Sequence, residues 1–262
     1  MPLPKPPLVF ITGASSGIGQ ALALRYHQAG FALALSARRT AALQDWADGL
    51  GLGPERCGIY GADVADADSI VAAGQACLAR QGVPDVVIAN AGISIGVDTA
   101  MRADLDAMRQ TFATNNLGMA ATFHPFIDPM VSRGTGSLVG IASVAGIRGL
   151  PGHGAYCASK AAVISYCESL RGELRPAGIK VTTISPGYID TPLTRQNRYA
   201  MPFLMAPDKF AEQAYATIAA GASYRVIPWQ MAAVAKLLRV LPDALLDRAL
   251  AGRPRKHRAP QG

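Results

Sequence analysis

The chain is sparing with aromatic and charged residues: of its 262 positions, 6% are Phe, Trp or Tyr and 16% are Asp, Glu, Lys or Arg. With half of the residues hydrophobic, that scarcity of charge excludes a disordered chain, which stays unfolded only by being polar. Only four cysteines occur (Cys57, Cys77, Cys157 and Cys167), none in a CxxC and none spaced with the four histidines as metal ligands are. A disulfide scaffold is thereby excluded and no metal is expected; reduced thiols and a cytoplasmic location are the simplest expectation. Uninterrupted apolar runs stay below the roughly 18 residues that cross a bilayer, so no transmembrane segment is expected. Prolines break up residues 1–7, which lack the apolar run of a secretory signal. Basic residues are not interleaved with aromatics and no nucleic-acid motif occurs, so nucleic acid is not an expected partner.

What is present is a repeated alternation. Short runs rich in Val, Ile, Leu and Ala alternate with longer amphipathic stretches, and 27 glycines punctuate the joins. Strands are expected at 8–12, 31–37, 57–62, 85–90, 137–143 and 179–185, with a short last one at 223–228. Helices are expected between them: to about 29, then 40–50, 66–80, one long stretch over 105–131, and 155–175. Helical pieces follow at 208–220, 230–241 and 243–251. Strands apolar on both sides and separated by helices indicate an α/β fold, a doubly wound parallel sheet of about seven strands with helices on both faces. No domain boundary interrupts residues 1–262, which read as one domain with a short helical C-terminal extension. In such a sheet ligands bind outside the carboxyl ends of the strands.

Two clusters of chemistry fall at those ends. Gly13, Ser15, Ser16, Gly17, Ile18 and Gly19 form a glycine-rich turn between the first strand and the first helix. Glycine lets backbone approach a pyrophosphate, and a helix start aims free N–H groups at it. A purely structural strand–helix turn is the bland alternative. The second strand ends at Ala37-Arg38-Arg39, where NAD-selective sites place a carboxylate for the ribose hydroxyls. A guanidinium at Arg38 would hold a 2′-phosphate through paired hydrogen bonds, which points to NADP(H) over NAD(H). Solvated charges at a helix start are the competing account. Asp63 and Val64 close the third strand, where a carboxylate can accept from the adenine amino group, and Asn90, Ala91 and Gly92 close the fourth.

Tyr156 and Lys160 stand four apart in a helical stretch and so share a face. A phenol titrates near 10, and a neighbouring ammonium would lower that value. Ser143 lies thirteen residues earlier at a strand end, where its hydroxyl could hold a substrate oxygen or simply cap the strand.

The set Thr12–Gly19, Asn90-Ala91-Gly92, Ser143, Tyr156-x-x-x-Lys160 and Pro186-Gly187 resembles the short-chain dehydrogenase/reductase family over residues 8–192. The resemblance implies a Rossmann-type sheet and an oxidoreductase that moves hydride between NADP(H) and a carbonyl or secondary alcohol. It implies Tyr156 as the general acid, Lys160 as the group that lowers its pKa and binds the ribose, and Ser143 as the orienting hydroxyl. It further implies Asn115 as a proton relay, with Asn116 an alternative one residue away. Pro186 and Gly187 would flank the nicotinamide, and Thr191 would meet the carboxamide or pyrophosphate. The acidic-glycine-glycine stretch that many members carry near the C-terminus is missing, so a homodimer is as much expected as a homotetramer. A sensor or partner-binding protein on the same fold is the second class of function, against which the complete Ser143, Tyr156, Lys160 and Asn115 set argues.

A substrate lid is expected over about 188–220; Tyr188, Tyr199, Met201, Phe203, Leu204 and Met205 there could line a pocket for a lipophilic substrate or merely pack. His153 reads as a lid contact or surface histidine, since the tyrosine already fills the acid/base role. The net charge of +7 is concentrated late: Arg225, Lys236, Arg239, Arg248, Arg253, Arg255, Lys256 and Arg258 face only Asp243 and Asp247. This basic extension, about 229–262, could be a frayed solubilising end, could pack on the fold or a dimer mate, or could contact a membrane surface peripherally.

Overall fold

A computed structural model describes residues 5–197, 199–252, 256 and 258. Seven parallel strands form one sheet in the order β3-β2-β1-β4-β5-β6-β7. The strands are β1 (Leu8–Thr12), β2 (Ala32–Ala37), β3 (Cys57–Gly61), β4 (Val86–Ala89), β5 (Gly136–Ile141), β6 (Ile179–Pro186) and β7 (Tyr224–Ile227). The helices are α1 (Gly17–Gln28), α2 (Thr40–Gly49), α3 (Ala67–Arg80), α4 (Asp104–Phe112), α5 (Gly118–Arg133), α6 (Gly154–Leu174), α7 (Pro207–Ala219), α8 (Trp229–Val240) and α9 (Asp243–Leu250). The expected seven-stranded, doubly wound sheet is thus observed. β1, β2 and β4 are buried along their whole length, which is why they read as apolar without alternation.

Successive side chains of a strand point to opposite faces, so each strand feeds two cores. On one face Phe10 packs with Phe123, Phe126, Ile70, Met130 and Leu138 under α3, α5 and α6. On the other, Val9 and Ile11 pack with Leu22, Tyr26, Leu35 and Phe210 under α1, α2 and α7. Phe10 and Phe126 rings lie 4.9 Å apart. Helix α5 can approach α3 because position 74 is glycine: a Cβ there would lie 2.5 Å from Pro125 Cγ.

The long helix expected over 105–131 is not continuous. A π-helical segment, Ala113–Leu117, separates α4 from α5. The widened turn has a cause in its polar partners: Asn115 donates to Ile93 O at 3.0 Å and to Ser159 Oγ at 2.9 Å, and accepts from Ile93 N at 2.8 Å. A regular helix would not turn that amide toward all three. The interruption falls at the functional end of the sheet, where such bulges concentrate.

Chain order reverses between β1 and β4, which pair side by side while their crossovers run to opposite edges. A crevice opens there, at the carboxyl ends. Phe126 is fully buried at the centre of one core. Phe126→Ala is expected to lower unfolding free energy by about 3–5 kcal/mol with an unchanged denaturant m-value; a loss below about 1 kcal/mol would contradict this packing.

Candidate active site

The crevice is a cleft of about 480 Å³ running from the end of β2, past the glycine turn, to the start of α6. Its floor is held by one threonine and one asparagine. Thr12 Oγ1 accepts from Asn90 N at 3.1 Å and from Ala91 N at 3.2 Å. Asn90 Nδ2 returns the contact, donating to Thr12 O at 3.0 Å and Gly13 O at 3.3 Å. Gly13 and Gly17 have φ of +65° and +58°, a region that costs a residue with a Cβ. A Cβ at Gly19 would lie 2.3 Å from Gly13 O, so the helix start can sit on the turn only as glycine. Gly17 faces Thr191, whose Cγ2 would be 3.1 Å from an added Cβ. The first turn of α1 has no side-chain cap from Ser16. Its amide donors therefore face the cleft with Ser15, Ser16 and Ile18 on the wall, an arrangement that fits a pyrophosphate.

At the β2 end, Arg38 is exposed and its Nη1 stands 3.8 Å from Asp63 Oδ2, a loose pair that leaves the guanidinium open. Asp63 also accepts from Ala65 N at 3.0 Å. Arg39, which the sequence offered only as a solvated charge, donates to Ser15 Oγ at 3.3 Å and lines the cleft. Val64 also lines the cleft; its carbonyl oxygen would be 2.2 Å from a Cβ on Gly118, so α5 starts hard against the β3 end.

At the other end, Ser143 starts a 3-10 turn (Val144–Gly146), its Oγ accepting from Ala145 N at 3.2 Å. That turn packs on α6 so closely that a Cβ on Gly146 would be 2.6 Å from the Lys160 carbonyl carbon. The contact brings Ser143 and Tyr156 to the same stretch of cleft wall. Burial pushes the Tyr156 phenol above its ordinary value, and the Ser143 hydroxyl works in the opposite direction. Lys160 Nζ sits 5.9 Å from the Tyr156 ring centre and donates to Ile141 O at 2.8 Å. Burial lowers the lysine to about 8. Desolvation is the largest influence on the phenol.

Gly92 lies where Asn115 and Lys160 converge: a Cβ there would be 3.2 Å from Asn115 Oδ1 and 3.3 Å from Lys160 Nζ. Asn116 turns elsewhere, donating to Ser159 O at 2.9 Å. Pro186 and Gly187 end β6 on the cleft wall, Gly187 N donating to Ile227 O at 2.7 Å. Of the sequence-derived residues, Gly19 and Asn115 support the cleft from behind and the others line it. Gln110 and Thr114 also line it, and the sequence carried no signal for them.

The lid residues divide. Tyr199 meets the Tyr188 ring at 6.3 Å and His153 at 5.6 Å, with His153 Nε2 3.3 Å from Tyr199 Oη. Burial lowers the His153 pKa, and its ring contacts the lid through Tyr199. Met205 packs into the core behind β1, whereas Phe203 and Leu204 are exposed. The tail is not simply frayed: Arg258 makes a bidentate pair with buried Asp104 at 2.6 and 2.9 Å, and Lys256 donates to Asn197 at 3.2 Å. Arg253 and Arg255 lie outside the described residues.

Among the described residues no cluster of acidic, His and Cys side chains could hold a metal, and no helix is long and apolar enough to cross a membrane. Comparison with known proteins agrees with this geometry. The short chain dehydrogenase family model matches residues 7–201. An uncharacterized oxidoreductase of Myxococcus xanthus is 40% identical over 91% of this chain and 94% of its own length. Several other relatives are longer proteins, of which the chain spans 44–60%. A short-chain dehydrogenase from Sphingobium yanoikuyae in complex with NADPH superposes with a TM-score of 0.76 at 25% identity, covering 98% of both chains. A 3-ketoacyl-(acyl-carrier-protein) reductase from Brucella melitensis, complexed with NADH, gives 0.75 at 26% identity over 84% of this chain and 96% of that one. With its glycine turn, its Ser143, Tyr156 and Lys160 cluster and these relatives, the chain belongs to the short-chain dehydrogenase/reductase family, oxidoreductases with an NAD(P)-binding Rossmann fold.

Proposed function

We propose that this protein is an NADP(H)-dependent reductase or dehydrogenase that interconverts a carbonyl and a secondary alcohol of a lipophilic compound. The observation that carries the reading is the gathering of Tyr156, Ser143 and Lys160 in one cleft with Pro186 and Gly187. A bound dihydronicotinamide supplies the hydride. Ser143 and Tyr156 hydroxyls together hold the carbonyl oxygen, and Tyr156 gives it a proton as the carbon accepts hydride, leaving an alcohol and a phenolate. A phenol kept protonated by burial suits that direction. Lys160, with no carboxylate partner among the described residues, offers its ammonium to a ribose hydroxyl and to the phenolate as it forms. Asn115, near Gly92 as Lys160 is, would hold a water that relays the replacement proton to the lysine, the role the family resemblance implies.

Preference for NADP(H) is supported by Arg38 and Arg39 at the β2 end, with no carboxylate at Ala37 to repel a 2′-phosphate. The aromatic group of Tyr188, Tyr199 and His153 beside the tyrosine favours an apolar substrate. The resulting assignment is of a single domain whose core, 8–192, holds cofactor and catalysis.

Titration with NADPH and NADH, read by nicotinamide fluorescence, is expected to show tighter NADPH binding. Arg38→Ala should weaken NADPH by about tenfold or more and leave NADH unchanged; equal loss for both would remove the phosphate assignment. Tyr156→Phe should lower kcat for carbonyl reduction by about 10²- to 10⁴-fold with NADPH affinity retained, and a small effect would exclude it as the acid. The buried Lys160 ammonium destabilises the fold at neutral pH, because the unfolded lysine holds its proton up to about 10.5 and the folded one only to about 8. The stability advantage of Lys160→Met over the parent is therefore expected to narrow as pH rises from 8 toward 10.5, measured by denaturant unfolding. A constant offset would show that the lysine is not buried as a charge.

A further inference from the structure

Helix α8 is apolar on two opposite sides. Met231 and Ala235 are buried, and Met231 reaches the cleft wall: a Cβ on Gly187 would lie 2.7 Å from Met231 Cγ. The other side carries Trp229, Ala233, Leu237 and Val240, spaced so that they stack in one stripe. Trp229, Leu237 and Val240 are 68%, 62% and 77% exposed, and exposed Tyr224 shares a cavity lining with Trp229. Scattered exposed apolar residues need no explanation, but a contiguous helical stripe with a tryptophan marks a contact surface. A cavity of about 430 Å³ lies alongside, lined by Ile147, Tyr224, Trp229 and Ala232.

The charge around the stripe has one sign. Arg225, Lys236 and Arg239 are exposed at its edges, and no Asp or Glu occurs from Gln213 to Pro242. A two-fold contact between copies places a patch against itself and would set these cations against one another. An anionic lipid surface matches both properties, accepting the apolar stripe below the headgroups and the cations at the phosphates.

We propose that α8 docks the protein on anionic membranes, with Trp229, Leu237 and Val240 entering the interface and Arg225, Lys236 and Arg239 meeting lipid phosphates. The same helix touches the cleft wall through its buried face, so docking sets the catalytic unit directly on the surface where lipophilic compounds partition. The surface proposal itself does not depend on catalysis.

The experiment is co-sedimentation of the full chain with vesicles of phosphatidylcholine alone or enriched in phosphatidylglycerol. Trp229 emission is followed in parallel in a Trp46→Phe background. Expected are binding to the anionic vesicles, weakening with salt, and a blue shift of Trp229. Leu237→Glu should abolish both, and Lys236→Ala with Arg239→Ala should reduce partitioning about tenfold or more. Unchanged thermal unfolding of these surface variants excludes misfolding as the cause. No vesicle binding, or binding untouched by Leu237→Glu, overturns the proposal. So does a dimer by light scattering that Leu237→Glu dissociates without any vesicle binding, which would assign the face to a second copy.

Discussion

The cleft depends on one reciprocal set of hydrogen bonds, between Thr12 at the end of β1 and Asn90 at the end of β4. β1 and β4 are neighbours whose chains leave in opposite directions, so their ends would otherwise spread apart. The Thr12 hydroxyl takes the two amides that the ladder no longer uses, and the Asn90 amide holds the first carbonyls of the glycine turn. Everything that surrounds a dinucleotide is hung from this clamp: the turn itself, the α1 amides, and Gly92 with Lys160 and Asn115 behind it. Because buried backbone groups must be satisfied, each of these bonds has a high cost of removal. The glycines are required by the same closeness, since backbone at Gly13 and Gly19 lies where a methyl group would collide.

The opposite end of the cleft is governed by desolvation. Tyr156 and Lys160 are both taken from water, and burial moves their pKa values in opposite directions, the phenol upward and the ammonium down to about 8. Each is thus held nearer its neutral form than in water. A negative charge arriving nearby, or developing on the phenol, would be met by an ammonium that no carboxylate among the described residues neutralises. The main-chain oxygen of Ile141 positions that ammonium without cancelling its charge. The lysine is stable in place because α6 is anchored at its start by the 3-10 turn and by Ser159, which bonds Tyr156 O and Asn115.

The C-terminal region shows how a charge count can mislead. Its basic residues do not share one fate. Arg258 is consumed by Asp104, a carboxylate that also caps Asp98 N, and so ties the end of the chain to the loop after β4. Lys256 turns to Asn197 in the lid, Arg239 bonds the carbonyl of Ile147, and Arg148 pairs with Asp243 at the start of α9. Lys236, Arg225 and the remaining donors of Arg239 stay exposed around an apolar stripe.

Local chemistry determined a large part of this protein. Runs such as Leu8–Thr12 and Ala32–Ala37 are short and apolar throughout, a pattern that only a sheet covered on both faces accommodates, and the fold follows from their alternation with helices. The glycine turn, Ser143, Tyr156 and Lys160 were legible for the same reason: their spacing and residue types carry chemistry wherever the strand ends bring them. What the sequence left open depends on non-local contacts. Asn115 and Asn116 are neighbours in a stretch that reads as helix, and only the π turn, formed by bonds to Ile93 and Ser159, faces one of them toward Lys160. Arg39, Gln110 and Thr114 acquire a place on the cleft wall through packing, and α8 shows a second apolar face only once the first is seen buried. Periodicity reports which side of an element is apolar; which neighbour covers that side is decided by the tertiary structure, because it is a property of two surfaces and not of one.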